Sequence, residues 1–493
     1  MHAQKLASGA LLGLGVYFLL FHGMSDRGLV SPDEPRYAAI ARTMAESGDW
    51  ITPRLDGQPW FEKPALLYWM GALAEQFGLH DDRAIRLPVA LMSAAFLVFF
   101  YWWMKRQFGP QPAEYATLIL ATTAWWVVFS QVGGFDLPLA ASLGAALLLL
   151  LPWIREPSPE SRRLLPAFGA LLGLSVLAKG LVGPALASAA VLPVVWQRGL
   201  RPVLRDLFHP RTLAPFLAVA LPWYLLCYLR NGPEFLKEFF WRHHWERIAD
   251  PSLQHIQPVW FFAPVLLLAL LPWTPLLAAP PPPEMRKEPR IRFLAAWALA
   301  TFAIFSFATN KLPGYLLPMM PALAALGGLA LAARHRKIWL PLTTAAALLG
   351  LTPIAAAVLP QALADGLREA WPPERISLLW LGLTALAVAG VGILSFLEKR
   401  RAAVALLAAS AALNFIVLKT QTLPAISERA GTRSLWFEIE PRLADTCIGD
   451  VRRHVVYGLR YYSHGRLPDC SVEPRRWRVE SDPPVLTEPQ VKR

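Results

Sequence analysis

The apolar runs of this sequence, many approaching twenty residues, constrain its fold more than any motif, because a helix of about twenty residues is what a bilayer core requires. Cut at these runs, the chain reads as an all-α polytopic membrane protein with about thirteen spans. These lie near 6–24, 87–104, 113–131, 137–154, 164–178, 181–196, 213–229, 259–279 and 293–308, then a tenth reaching Arg334, then 338–359, a twelfth ending at Lys399, and 402–418. The first is longer than a signal-peptide core and has no small-residue cleavage site, so it is expected to remain as a helix. With 55% hydrophobic and 17% charged residues, a soluble fold is excluded. The formal charge of +13 does not point to nucleic acid, since the basic residues fall in short clusters between apolar runs.

Those clusters orient the chain. Every even-numbered span ends in cations: Lys105 and Arg106; Arg155, Arg162 and Arg163; Arg198 to Arg211; Arg286 to Arg292; Arg334 to Lys337; and Lys399 to Arg401. By the positive-inside rule that side is cytoplasmic, with the N-terminus inside and the C-terminus outside. Residues 1–419 form the membrane domain, 25–86 its first external loop, and 420–493 a small extracytoplasmic region. In that oxidising compartment Cys447 and Cys470 can form a disulfide, whereas Cys227 sits in a span and packs.

The external face collects the chemistry. Asp33 and Glu34 open an amphipathic pattern in which Tyr37, Ile40, Ala41 and Met44 repeat at helical spacing before Gly48 closes it, and residues 65–77 repeat the pattern. Glu62-Lys63, Asp136 after Gly133-Gly134, Lys179, the cluster from His243 to Arg247, and Lys311 to Tyr315 fall on the same side. Each has a plain alternative. Asp33-Glu34 and Asp136 can cap helices, Lys63 can snorkel, Arg247 can pair with Glu246 or Asp250, His243 and His244 can be loop surface, and Tyr315 and Trp260 can belong to an aromatic belt. Capping does not require the other charges to gather beside it.

The combination D-E-x-R-Y-A, S-G-D-W, P-R-L, F-E-K-P and Y-W resembles the first external loop of bacterial lipid A aminoarabinose transferases and the wider protein O-mannosyltransferase superfamily. F-D-L-P at Asp136, A-K-G at Lys179, F-F-W-x-x-H-x-x-R ending at Arg247, P-x-W-F-F at Trp260, L-P-W at Trp273 and K-L-P-x-Y at Tyr315 follow in the same order, over about the first 330 residues. The resemblance implies a GT-C architecture and an inverting glycosyltransferase of the bacterial inner membrane. It implies a polyprenyl-phosphate sugar donor and an external acceptor: lipid A, or a protein or glycan hydroxyl. Asp33 would be the catalytic carboxylate, with Glu34 beside it and Asp136 the second external acid. Lys63, Arg247, Tyr315 and Lys311 would hold the donor phosphate, and Glu62 with His244 could take a divalent zinc, magnesium or manganese ion; no organic cofactor is implied. The external tail is shorter than in the full-length transferases and leaves the acceptor open. A lipid-linked sugar transporter is the competing class, but transporters concentrate ionisable residues at the bilayer midplane rather than at helix ends on one side.

Overall fold

The computed structural model describes residues 13–239, 256–333, 338–364, 377–481 and 484–488. The main helices are α1 (Asp33–Ser47), α2 (Leu66–Gln76), α3 (Arg83–Phe108), α4 (Pro110–Ala121), α5 (Ala124–Phe129) and α6 (Asp136–Leu149). They continue as α7 (Leu165–Lys179), α8 (Val182–Arg198), α9 (Pro210–Asn231), α10 (Pro289–Phe307) and α11 (Met320–Ala332). The last four are α12 (Leu378–Phe396), α13 (Arg400–Ala430), α14 (Arg433–Ile439) and α15 (Arg453–Tyr462). Among the described residues, eight helices are long and apolar enough to cross a membrane, and 136–149 and 259–269 are shorter apolar helices.

The spans are packed by size as well as by polarity. α6 is buried along its whole length from Leu137 to Leu149, which makes it the centre of the bundle. α7 lies against both α6 and α9. On its α9 side a Cβ at Gly169 would stand 2.1 Å from the Thr212 carbonyl oxygen, and one at Gly173 2.7 Å from that of Phe216. In lipid, where burial of apolar surface gives helices no reason to associate, such small residues at i and i+4 let backbones approach and dispersion act.

Of the boundaries that differ from the sequence reading, three have a clear physical cause. The run 113–131 is two helices, because Thr122 and Thr123 turn their hydroxyls back onto the carbonyls of Leu118 and Ile119 at 2.6 and 2.7 Å. The Ala124 amide then donates to Leu271 instead of continuing the helix. Across 259–279 the α-helix covers only Phe262–Ala269, ahead of Pro272, which has no N–H to donate. The last span does not stop at 418: α13 continues to Ala430, and Lys419 on it donates to the carbonyls of Phe18, Leu19 and His22, capping the end of the first helix.

Beyond α13 the chain forms a small α/β unit. β3 (Thr446–Ile448) pairs in parallel with β4 (Trp477–Glu480), which pairs antiparallel with β5 (Val485–Thr487). Trp436, Ile439, Ile448, Val455, Leu459, Leu467 and Val479 make its own core, and Cys447 and Cys470 are joined, as the sequence allowed. α15 presses this unit onto α1: Arg42 donates to the Tyr461 carbonyl at 2.9 Å and lies over its ring, and Arg460 pairs with Asp56. Asp56 sits in the turn between two-residue strands β1 (Arg54–Leu55) and β2 (Gln58–Pro59).

Candidate active site

α1 forms where the pattern predicts it, with Tyr37, Ile40, Ala41 and Met44 buried and Gly48 left-handed at φ 68° with its N–H on the Met44 carbonyl. Asp33 is the first helical residue but makes no capping bond, so the plainest alternative for it is not what the structure contains. Its side chain is 49% exposed, and Arg36, one turn on, donates to one carboxylate oxygen at 2.5 Å. The same guanidinium reaches Glu62 at 3.2 Å and lies over the rings of Tyr37 and Trp60. Glu62 accepts from Lys63 at 3.1 Å through its other oxygen. Burial alone would lower the Arg36 pKa, but Glu62, then Tyr37 and Asp33, hold it above its ordinary value. Burial, with Asp33 and Glu62 next in weight, pushes the Tyr37 phenol well up.

A second cluster gathers residues from three distant segments. Asp136 opens α6, and Lys179, at the end of α7, meets its carboxylate at 2.5 Å. The same ammonium stands 4.9 Å from the ring centre of Tyr315. Glycine at 314 is required here, because a Cβ would lie 2.9 Å from both the Asp136 carboxyl carbon and the Phe129 ring. The two clusters are linked by aromatic contacts: Phe135, the neighbour of Asp136, packs edge-on against Tyr37 at 4.8 Å and Tyr68 at 5.4 Å.

Glu34 serves a different purpose from its neighbour. It is fully buried, receives Arg86 at 2.7 Å on each oxygen and Arg27 at 3.2 Å, and accepts the amides of Val30 and Gly133 at 3.1 and 3.0 Å. Burial would raise its pKa, but Arg86 and Arg27 hold it down to about 2. With its lone pairs so filled, Glu34 fastens the Gly133 turn, and with it the approach to Asp136, to the start of α1. Lys311 is likewise engaged, donating to the carbonyls of Gln257 at 2.8 Å and Ala308 at 2.5 Å. Trp260 is 68% exposed, as an aromatic belt residue would be, whereas Trp273 is buried and donates to Thr122.

Arg247 and His244, together with His243, Glu246 and Asp250, lie outside the described residues. Among those described, no group of three or more His, Cys, Asp or Glu side chains is placed to hold a metal. Glu62 has Arg36 on one oxygen and Lys63 on the other, and His244, the other half of the expected pair, lies outside the described residues.

Sequence reasoning gave Arg36 no role and left Lys179 undecided, yet each joins a candidate acid to its surroundings. The spacing D-x-x-R within one helical turn was the available signal for Arg36. Around it, the Arg36 Nε, the Trp60 Nε1 and the Tyr68 hydroxyl are buried with no hydrogen-bond partner among the described residues. Buried donors are satisfied in most folded proteins, so these three stand out beside the Asp33 and Glu62 carboxylates.

A family model described as dolichyl-phosphate-mannose-protein mannosyltransferase matches residues 62–225. An undecaprenyl phosphate-alpha-4-amino-4-deoxy-L-arabinose arabinosyl transferase of Edwardsiella ictaluri is 33% identical over 327 residues, 64% of this chain and 58% of that protein. The protein of the same name from Pseudomonas paraeruginosa is 32% identical over 343 residues, 68% of this chain and 61% of its own. The chain thus spans less than two thirds of the length of these curated relatives. Among solved structures, ArnT from Cupriavidus metallidurans bound to undecaprenyl phosphate is similar with a TM-score of 0.75 and 26% identity, over 95% of this chain and 88% of that one. The oligosaccharyltransferase AglB of Archaeoglobus fulgidus shares the fold at a TM-score of 0.51 and 12% identity, over 94% of this chain and 64% of that one.

Proposed function

We propose that this chain, an aminoarabinose-transferase-like member of the GT-C glycosyltransferases, moves a sugar from a polyprenyl-phosphate carrier to lipid A at the outer face of the bacterial inner membrane. One observation carries the reading. Residues from four separate stretches of the chain meet as two acid–cation clusters, Asp33/Arg36/Glu62/Lys63 and Asp136/Lys179/Tyr315, with an aromatic contact between them.

In the reaction so proposed, an acceptor phosphate oxygen attacks the anomeric carbon from the face opposite the carrier. The bond from that carbon to the carrier oxygen breaks, its electron pair stays on the carrier phosphate, and the configuration inverts. A phosphate leaving group needs no proton to depart, so fixed cations contribute more than a general acid would. Lys63 and Lys179 are the described cations suited to that charge, with Tyr315 beside Lys179. Arg36 holds one Asp33 oxygen and leaves the other open; a hydroxyl acceptor would need that oxygen as a base, whereas an acceptor that arrives ionised would need it only for positioning. Lipid A phosphates, with a second pKa near about 6, are such acceptors.

In this reading Arg247 joins the donor-phosphate group, thirteen spans set the N-terminus inside, and the disulfide-bonded C-terminal unit faces the periplasm. Liposomes containing the purified chain and labelled undecaprenyl-phosphate sugar separate the classes. Label moving onto lipid A, and lost in Asp33→Asn and Lys63→Ala, supports transfer. Protein-dependent movement of the lipid-linked sugar across the bilayer without transfer to any acceptor would replace it with a transporter.

A further inference from the structure

We propose that the cleft between α1 and the C-terminal unit binds the phosphomonoester of the acceptor's head group, and that Arg36 couples that cleft to Asp33. Which molecule arrives rests on the transfer reading above; the preference for an anion rests on the cleft itself. It is a partly open cleft with a volume of about 210 Å³. Its floor is the side of α1 carrying Arg36, Ala39 and Thr43, and its walls are the β1–β2 turn and α15. Gly57 and Gly465 stand at its rim with φ of 77° and 71°, and a Cβ at either would meet nothing within 4 Å, so both leave the entrance clear.

The lining is cationic, and its cations are unequally engaged. Arg42 is spent: it donates to Glu75 at 3.2 Å, to the Tyr461 carbonyl at 2.9 Å and to the His80 carbonyl at 3.3 Å. Arg460 pairs with Asp56 through one amino group and remains 30% exposed. Arg36 is 5% exposed, gives its two amino groups to Asp33 and Glu62, and keeps a buried Nε with no partner among the described residues. A buried N–H on a charged guanidinium is costly to leave unpaired, and an anionic oxygen is the acceptor that repays it best. Glu46 and Asp56 also line the cleft, but Asp56 is held by Arg460 and Glu46 stands 3.8 Å from His464. A phosphoryl group bound in the cleft beside Arg36 and Arg460 would lie one guanidinium away from Asp33. The donor phosphate, by contrast, belongs with Lys63 and Lys179.

The test is binding to the full chain in nanodiscs, with bis-phosphorylated lipid A, its dephosphorylated form, undecaprenyl phosphate and glucosamine 1-phosphate as probes. Two variants are used: Arg460→Gln, which removes a cation, and Thr43→Asp, which adds a negative charge to the floor. The wild type is expected to prefer the phosphorylated lipid by about tenfold, the scale of one lost charge-assisted contact. Both variants should lose that preference while undecaprenyl phosphate affinity is unchanged. The proposal is overturned if the preference survives both substitutions, or if undecaprenyl phosphate binding falls in parallel; glucosamine 1-phosphate binding that both substitutions weaken supports it. Phosphate-dependent binding without sugar transfer would remove the transfer reading and leave the cleft; transfer at wild-type KM in both variants would do the reverse.

Discussion

Adjacent carboxylates at the start of α1 are separated in role by burial. Asp33 is half exposed with one oxygen held, whereas Glu34 is enclosed by two arginines and two amides. Replacing Glu34 with Ala leaves the fully buried Arg86 guanidinium without its counter-charge, a change that costs about 3–5 kcal/mol and should appear as a large fall in the melting temperature of the purified protein. An unchanged melting temperature would contradict the anchoring role. The sign of the pH dependence follows from a depressed pKa. The Glu34 contribution is complete above its ordinary value of 4.5 and is lost as pH falls toward about 2, so acid titration of stability should show a loss in that window that Glu34→Gln lacks. Lys179→Met is expected to lower kcat by about 100-fold at little cost in donor KM, if its charge acts on the leaving phosphate. A rise in donor KM with kcat unchanged would show ground-state binding alone. The sequence could flag Asp33 and Asp136 as acids near helix starts, but not that Glu34 turns inward, because that depends on Arg86, fifty-two residues away.

At the scale of elements, periodicity made α1 and α2 legible, since their faces are set locally by which residues repeat every turn. The broken helices were not legible. The interruption at Thr122 and Thr123 is written in hydroxyls that compete for backbone carbonyls, a signal that hydropathy does not register. Nor did apolarity mark the end of α13, whose polar last turns pack against the start of the first external loop: the Ser427 hydroxyl accepts the Gly28 amide at 2.9 Å. That unit is small, and its bridge closes a loop with a sequence separation of 23. Cys447→Ser with Cys470→Ser should cost it about 3 kcal/mol and hasten proteolysis within 433–488, while the membrane helices stay intact. Equal resistance to protease would show that docking against α1 suffices.

For the whole molecule, the alternation of basic ends sets an expected orientation, and the architecture is a multi-pass bundle with a small folded unit after the last long helix. What the sequence could not supply was the meeting of loops, because Asp136, Lys179 and Tyr315 come together only once α6, α7 and the 313–319 segment are packed, and Phe135 then links them to Tyr37 on α1. Orientation is tested by single cysteines on a Cys227→Ala background. A membrane-impermeant maleimide should label Arg476→Cys in spheroplasts and Arg201→Cys only after lysis, and the opposite pattern would invert the topology. The most direct test of the account is a double-mutant cycle on sugar transfer from undecaprenyl-phosphate sugar to lipid A, comparing wild type, Asp33→Asn, Lys179→Met and the pair. If the two clusters act as one site, the double variant transfers no more slowly than the worse single variant. Losses that simply multiply, or a single variant with undiminished transfer, would contradict it.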